Sequence, residues 1–170
     1  TVLAAGADDV LDRARVFPDV RSAVADCGFV VGTTVRSRHL PWRTVEPREA
    51  AREIAAASRA SEVAVVFGAE RTGLTNDDLE LCQALVTIPT GSVYASLNVA
   101  MAVQVIASEI RLALRDEPDS GRTAGVPLAS ARDMEQFYLH LKQVLEEVEF
   151  RDRTGEGHLM ARIRRMFNRV

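Results

Sequence analysis

Twice between residues 63 and 114 a short apolar run empties into a polar, glycine-bearing loop and then into the start of a helix. The first run is Val65-Val66-Phe67, followed by Gly68-Ala69-Glu70-Arg71-Thr72-Gly73; the second is Leu85 to Ile88, followed by a loop holding Pro89 and Gly91. Short β-branched runs punctuated this way are expected to be buried strands. Thr75 and Asp78 stand at capping-box spacing, so a short helix is expected to end near Cys82. The second loop should lead into a long helix opened by Ser96. Open α/β sheets hold their ligands where strand ends face helix starts, because the free backbone N–H groups there suit polar or anionic atoms. The pattern implies a small-molecule site and names no ligand; two ordinary strand–loop–helix connections would look the same.

With 170 residues, 47% of them apolar, the chain can bury one domain's core and carry a small appendage. The formal net charge is −3, so any nucleic-acid surface has to come from local clustering. Cys27 and Cys82 have no neighbouring Cys or His at ligand spacing and are expected to be buried thiols on apolar helical stretches. The carboxylates show no metal-ligand spacing, so no metal is implied. No signal peptide or membrane-length apolar run is visible, and a cytoplasmic protein is expected.

Taken in order, residues 8–14 and 18–26 are expected as short helices, the second starting near Asp19, with Arg15-Val16-Phe17 as a short strand between them. Phe29-Val30-Val31 should be a buried strand ending at Gly32, and residues 33–42 a polar loop carrying Arg36, Arg38 and His39. Pro47 suits the first turn of a surface helix running to about Ser58. The helix from Ser96 to about Leu114 places Leu97, Ala100, Val103, Ile110 and Leu114 on one stripe. Residues 116–127 are rich in turn formers and should be a linker. Beyond it, Ser130 and Asp133 should cap a helix with an apolar face of Phe137, Leu141, Val144, Leu145 and Val148, and a second helix should span about 157–167. Two helices hold too little core to stand alone and are expected to dock on the rest. From Arg151 on, six arginines face two acidic residues. Such a balance suits either a solvated helix face or a phosphate backbone.

The wording of the two central blocks is more specific than their periodicity. Phe67-Gly68-x-Glu70-x-x-Gly73-Leu74-Thr75, and Ile88-Pro89 followed by Ser96-Leu97-Asn98-Val99-Ala100-x-Ala102, resemble motifs two and three of the SpoU/TrmH methyltransferases of the SPOUT superfamily. Leu3-Ala4-Ala5-Gly6-Ala7-x-Asp9-Val10, Gly32-Thr33-Thr34-x-Arg36-Ser37-Arg38-x-Leu40-Pro41-Trp42 and Phe137-Tyr138-x-His140-Leu141 extend the likeness, toward the bacterial TrmJ-type tRNA (cytidine/uridine-2′-O)-methyltransferases, over nearly the whole chain. The resemblance implies an α/β fold: a SPOUT-type knotted (deep trefoil) parallel-sheet domain with a small C-terminal helical extension. The expected division is a methyltransferase domain at 1–115, a linker at 116–127 and the extension at 128–170. The family opens with an Asn-x-Gly-x-x-x-Arg motif whose arginine serves the reacting ribose hydroxyl; these 170 residues do not contain it. The first strand and helix of the domain are therefore expected to lie ahead of Thr1.

The same resemblance implies S-adenosyl-L-methionine as methyl donor, the ribose 2′-OH of nucleotide 32 in the tRNA anticodon loop as acceptor, and a homodimer to which the 96–114 helix contributes. Cofactor contacts fall on Thr33, Thr34, Val35, Gly68, Ile88, Ala95, Ser96 and Leu97, with little side-chain bulk at Gly68, Gly91, Ala95 and Ser96 to hinder a bent cofactor. Glu70, Ser96 and Asn98 are the expected catalytic positions, although Ser96 and Asn98 also serve as ordinary helix-start groups and Glu70 as a loop organiser. The expected RNA-facing residues are Arg36, Arg38, Tyr94, Arg162, Arg164 and Arg165. Action on another tRNA or rRNA site stays open at this point, as does a non-catalytic RNA-binding module. A generic doubly wound nucleotide-binding domain lacks its Gly-x-Gly-x-x-Gly and Gly-x-x-x-x-Gly-Lys signatures here.

Overall fold

The computed structural model describes residues 6–34, 42–91, 97–116, 128–150 and 158–168. Four parallel strands, β1 (Cys27–Thr33), β2 (Thr44–Val45), β3 (Glu62–Val66) and β4 (Ala84–Val86), form one sheet in the order β2-β4-β1-β3. Consecutive residues of a strand point to opposite faces, and both faces are covered. Val30 and Leu85 join Val24, Leu74, Leu79, Leu81 and Cys82 on one side. Val31, Ala84 and Val86 join Val45, Ala50, Ile54 and Ile106 on the other. Burial on both faces explains why these strands are continuous apolar runs rather than alternating ones.

Helices α1 (Asp8–Asp12) and α2 (Val20–Ala23) are shorter than the periodicity suggests. Asp19 caps α2, its carboxylate accepting the Ser22 N–H at 2.7 Å. Arg15-Val16-Phe17 is not a strand: Val16 is 100% exposed and pairs with nothing in the sheet. Cys27 opens β1 instead of sitting in a helix, and only Cys82 is fully buried. Gly28 lets β1 pass the chain before β3, since a Cβ there would lie 2.7 Å from the Ser61 side chain. Desolvation pushes the Cys82 thiol up to about 12, so it is an inert core group at neutral pH.

Helix α3 (Pro47–Ala57) is half a core element: Ala50, Ala51, Ile54 and Ala55 are buried between the sheet and α5. Its outer face carries Glu53, which holds Arg43 in a two-pronged ion pair. Helix α4 (Asn76–Leu79) has the expected capping box, with Thr75 and Asp78 exchanging hydrogen bonds. Helix α5 (Val99–Asp116) starts three residues after Ser96, which lies outside the described residues, and Asn98 supplies the cap by accepting the Ala100 N–H at 2.8 Å. Its buried contact is Ile106, with Ile110 beside it, whereas Ala100, Val103 and Leu114 of the expected stripe face outward.

Helices α6 (Ala131–Glu147) and α7 (His158–Phe167) pack on each other and on the α2–α4 side of the sheet. The Ser130–Asp133 capping box starts α6, and the Arg132 N–H donates to the Ala25 carbonyl at 3.0 Å. Tyr138, at 2% exposure, is the buried anchor of α6; Phe137, Val144 and Val148 of the expected apolar face remain exposed. Residues 117–127, the core of the expected linker, lie outside the described residues. So do 35–41 and 92–96.

Candidate active site

A cavity of about 500 Å³ opens at the carboxyl ends of β1, β3 and β4. Its floor is apolar, made by Phe67, Val86, Ile88, Leu97 and Val99, and its rim is polar, with Thr33, Thr34 and the loop from Gly68 to Gly73. The location follows from the sheet: parallel strands bring three loops to one edge, and α5 starts beside them. Thr33 Oγ1 donates to the Val66 carbonyl at 3.1 Å, tying the ends of β1 and β3 together. The Thr34 N–H donates to the Val86 carbonyl at 2.9 Å, and Thr87 Oγ1 donates back to the Thr34 carbonyl at 3.0 Å. The β1–β4 edge is fixed in the same way.

The 68–73 loop is a closed turn. The Gly73 N–H donates to the Ala69 carbonyl at 2.7 Å, and Gly73 has φ +70°, a left-handed conformation that favours glycine. A Cβ on Gly68 would fall 2.2 Å from the Gly73 carbonyl carbon and 2.3 Å from the Leu74 nitrogen. The small residue expected here as room for a cofactor is needed first by the loop itself. Glu70 projects from this turn and accepts a hydrogen bond from Asn98 Nδ2 at 3.2 Å, while Asn98 Oδ1 caps α5. One amide thus joins the loop after β3 to the first turn of α5.

Of the residues expected at the site, the fold gathers Thr33, Thr34, Gly68, Glu70, Ile88 and Leu97 around this cavity, with Asn98 hydrogen-bonded to Glu70. Val35, Arg36, Arg38, Tyr94, Ala95 and Ser96 lie outside the described residues. Arg162, Arg164 and Arg165 are on α7, away from the cavity lining. Arg164, expected to face RNA, is engaged within the chain. Its side chain is 12% exposed, makes two hydrogen bonds to Glu135 at 2.7 and 2.9 Å, approaches Glu80 and lies over the Tyr138 ring at 4.4 Å. It holds α7 to α6 and α4. Sequence reasoning also missed Arg71, Thr72, Thr90 and Ala102 on the cavity wall. Arg71, Thr72 and Ala102 stand inside the recognised motifs and Thr90 directly follows Ile88-Pro89, and that position was the available signal.

Fold and cavity together define a parallel α/β protein with a cavity of about 500 Å³ at its strand ends, a size and place usual for small-molecule sites. The chain belongs to the SpoU rRNA methylase family, whose family model matches residues 2–108, and residues 132–170 match the C-terminal domain of tRNA methyltransferase TrmJ. It is 43% identical over 172 residues to tRNA (cytidine/uridine-2′-O-)-methyltransferase TrmJ of Yersinia enterocolitica, covering 99% of this chain and 67% of that protein. The Photorhabdus laumondii TrmJ is 44% identical over 170 residues, covering 99% and 70%. Among solved structures, TrmJ from Z. mobilis ZM4 superposes with a TM-score of 0.77 at 34% identity, covering 97% of this chain and 69% of that one. A probable methylase family protein from Haemophilus influenzae Rd KW20 gives 0.62 at 33% identity, covering 99% and 69%.

Proposed function

We propose that this protein transfers the methyl group of S-adenosyl-L-methionine to the ribose 2′-hydroxyl of a cytidine or uridine at position 32 of the tRNA anticodon loop. One observation carries the reading. The cavity is walled by the family's motif residues, Gly68, Glu70, Gly73, Ile88 and Leu97, in a chain 43% identical to a tRNA (cytidine/uridine-2′-O-)-methyltransferase. We read residues 1–115 as the methyltransferase domain, 116–127 as a linker and 128–170 as the appendage that helps to hold tRNA in the cytoplasm.

The cavity suits the donor in size and polarity, with apolar side chains to receive a base and polar groups beside them for its edges. Bound there, S-adenosyl-L-methionine supplies a methyl group already activated by its sulfonium. The chain's own contribution is alignment and exclusion of water, which accounts for a large share of acceleration in such transfers. Phe67, Val86, Ile88 and Leu97 keep one face of the site dry; the Glu70–Asn98 hydrogen bond fixes the distance between the two loops that flank the acceptor. Ser96 and Asn98 complete the catalytic edge in this reading. Arg71 at the rim, with Arg162 and Arg165 on α7, offers charge for phosphates. Among the described residues, no helix is long and apolar enough to cross a membrane, and no group of three or more His, Cys, Asp or Glu side chains could hold a metal ion.

The exposed apolar residues Met101, Val103, Leu112 and Leu114 of α5 support a homodimer, whose mass light scattering would register. Half-buried Leu97 gives the sharper test of the donor site. Calorimetric titration of the natural-length protein with S-adenosyl-L-methionine should give saturable binding. Leu97→Arg, placing a solvated cation in the wall, should abolish it without unfolding the protein. Undiminished binding in the variant would move the donor out of this cavity.

A further inference from the structure

Asn168, in the turn that ends α7, is the one buried polar side chain among the described residues, at 8% exposure. Its Oδ1 accepts the Tyr138 hydroxyl at 2.9 Å, and its Nδ2 donates to the carbonyls of Glu80 at 3.3 Å and Cys82 at 3.5 Å. Those carbonyls belong to the turn that closes α4, where the helix has run out of its own donors. An amide from the far end of the chain supplies them instead. Arg164 reinforces the link from the same helix, reaching Glu80 at 3.8 Å while fixed by Glu135.

What makes this contact relevant to the site is where the chain goes from there. Helix α4 follows directly on the 68–75 loop, and Leu74, Leu79 and Cys82 share one core cluster. Leu74 also lines the cavity, and its Cδ1 and the Cys82 Sγ fill the space beside Gly32 near the end of β1, where an added Cβ would meet them at 3.1 and 2.9 Å. The loop is held on its outer edge by the Glu70–Asn98 hydrogen bond and at its base through α4. Loss of the Asn168 amide would leave a buried carbonyl at Cys82 and a part-buried one at Glu80 without that donor and let α4 and the loop open more often.

We propose that Asn168 is a positioning residue for the donor site: it holds the α4 turn, so that the C-terminal helices set the order of the 68–82 segment and thereby the affinity of the cavity for S-adenosyl-L-methionine. The part concerning the cavity rests on the reading of that cavity as the donor site. Binding energy that the donor would spend on ordering its loop is, with Asn168 in place, already provided by the fold. The C-terminal unit becomes part of the active site's support without touching a substrate.

The test uses hydrogen–deuterium exchange on the natural-length protein without ligand, together with calorimetric titration by S-adenosyl-L-methionine. Asn168→Ala should speed exchange in residues 70–82 by about tenfold and weaken donor binding by a similar factor. Tyr138→Phe, which spares the two carbonyl contacts, should do less. Ile54→Val, a core truncation on the opposite face of the sheet, serves as the control for general destabilisation and should change neither quantity. Unchanged exchange in Asn168→Ala, or a change matched by Ile54→Val, would overturn the proposal. Faster exchange with unaltered donor affinity would also overturn it, because the segment would then not govern the site. Absence of donor binding in the unmodified protein would instead sink the reading of the cavity, and the exchange result would still decide whether Asn168 orders the segment.

Discussion

Gly68→Ala should cost this protein about 2–3 kcal/mol of stability and cut methyl transfer by about a hundredfold or more, as overpacking and misplacement of reacting groups do elsewhere. The cause is local and geometric. The added methyl would sit 2.2 Å from the carbonyl carbon of Gly73 and 2.3 Å from the nitrogen of Leu74. Both are backbone atoms, so no side-chain rotation relieves the clash. The loop must open, and opening it breaks the 2.7 Å hydrogen bond from Gly73 to Ala69 and carries Glu70 away from Asn98. Gly91→Ala is the stability control, since a Cβ there meets nothing within 4 Å among the described residues; it should change stability by less than about 0.5 kcal/mol. Thermal denaturation and initial rates measure both quantities. Wild-type rates in Gly68→Ala would mean that the closed 68–73 turn is irrelevant to the site.

Arg164→Ala should lower stability by about 3 kcal/mol, the scale on which a largely buried ion pair is broken when one partner is removed. The side chain is 12% exposed and pairs with Glu135, which also takes an ion pair from Arg21 of α2. Removing it leaves Glu135 and the Tyr138 ring facing an empty space between α6, α7 and α4. The exposed Arg162→Ala should change stability by less than about 0.5 kcal/mol. The pH dependence has a definite sign. The Arg164 hydrogen bonds hold the Glu135 carboxyl below its ordinary 4.5, against the opposing effect of burial. That contribution is complete above pH 4.5 and is lost as pH falls through the lowered folded value, so the gap between wild type and Arg164→Ala should narrow in acid. Denaturant titrations across that range measure it. A variant that kept full stability and lost tRNA affinity would return Arg164 to the RNA surface.

The contrast between Arg164 and Gly68 shows what a sequence displays. The local pattern puts Gly68, Glu70 and Ile88 just after strands and Leu97 just ahead of a helix, and such ends meet at one edge of a parallel sheet, so a cavity there could be anticipated, while the resemblance singled out the residues. The Thr75–Asp78 and Ser130–Asp133 caps were legible for the same reason: their partners lie three residues away. Arg164 finds Glu135 29 residues upstream and Glu80 still further away, and a count of charges holds no trace of either. Strand β2 was invisible because two residues carry no periodicity; Thr44 and Val45 are extended because β4 offers them an edge. The face of α5 was misjudged because its apolar residues surround more than one side, and only the position of α3 decides that Ile106 goes inward while Val103 and Leu114 do not. The expected strand began only at Phe29, whereas β1 opens at Cys27; the crowding by Ser61 that calls for glycine at position 28 comes from another part of the chain.

The most direct test of the whole account is chemical. The natural-length protein is incubated with S-adenosyl-L-methionine and unmodified tRNA, and the product is digested and mapped by mass spectrometry. A 2′-O-methylated cytidine or uridine at position 32, formed by the wild type and lost in Gly68→Ala, is the predicted result. No ribose methylation across a broad panel of tRNA and rRNA, with the donor demonstrably bound, would contradict it and leave an RNA-binding module in its place.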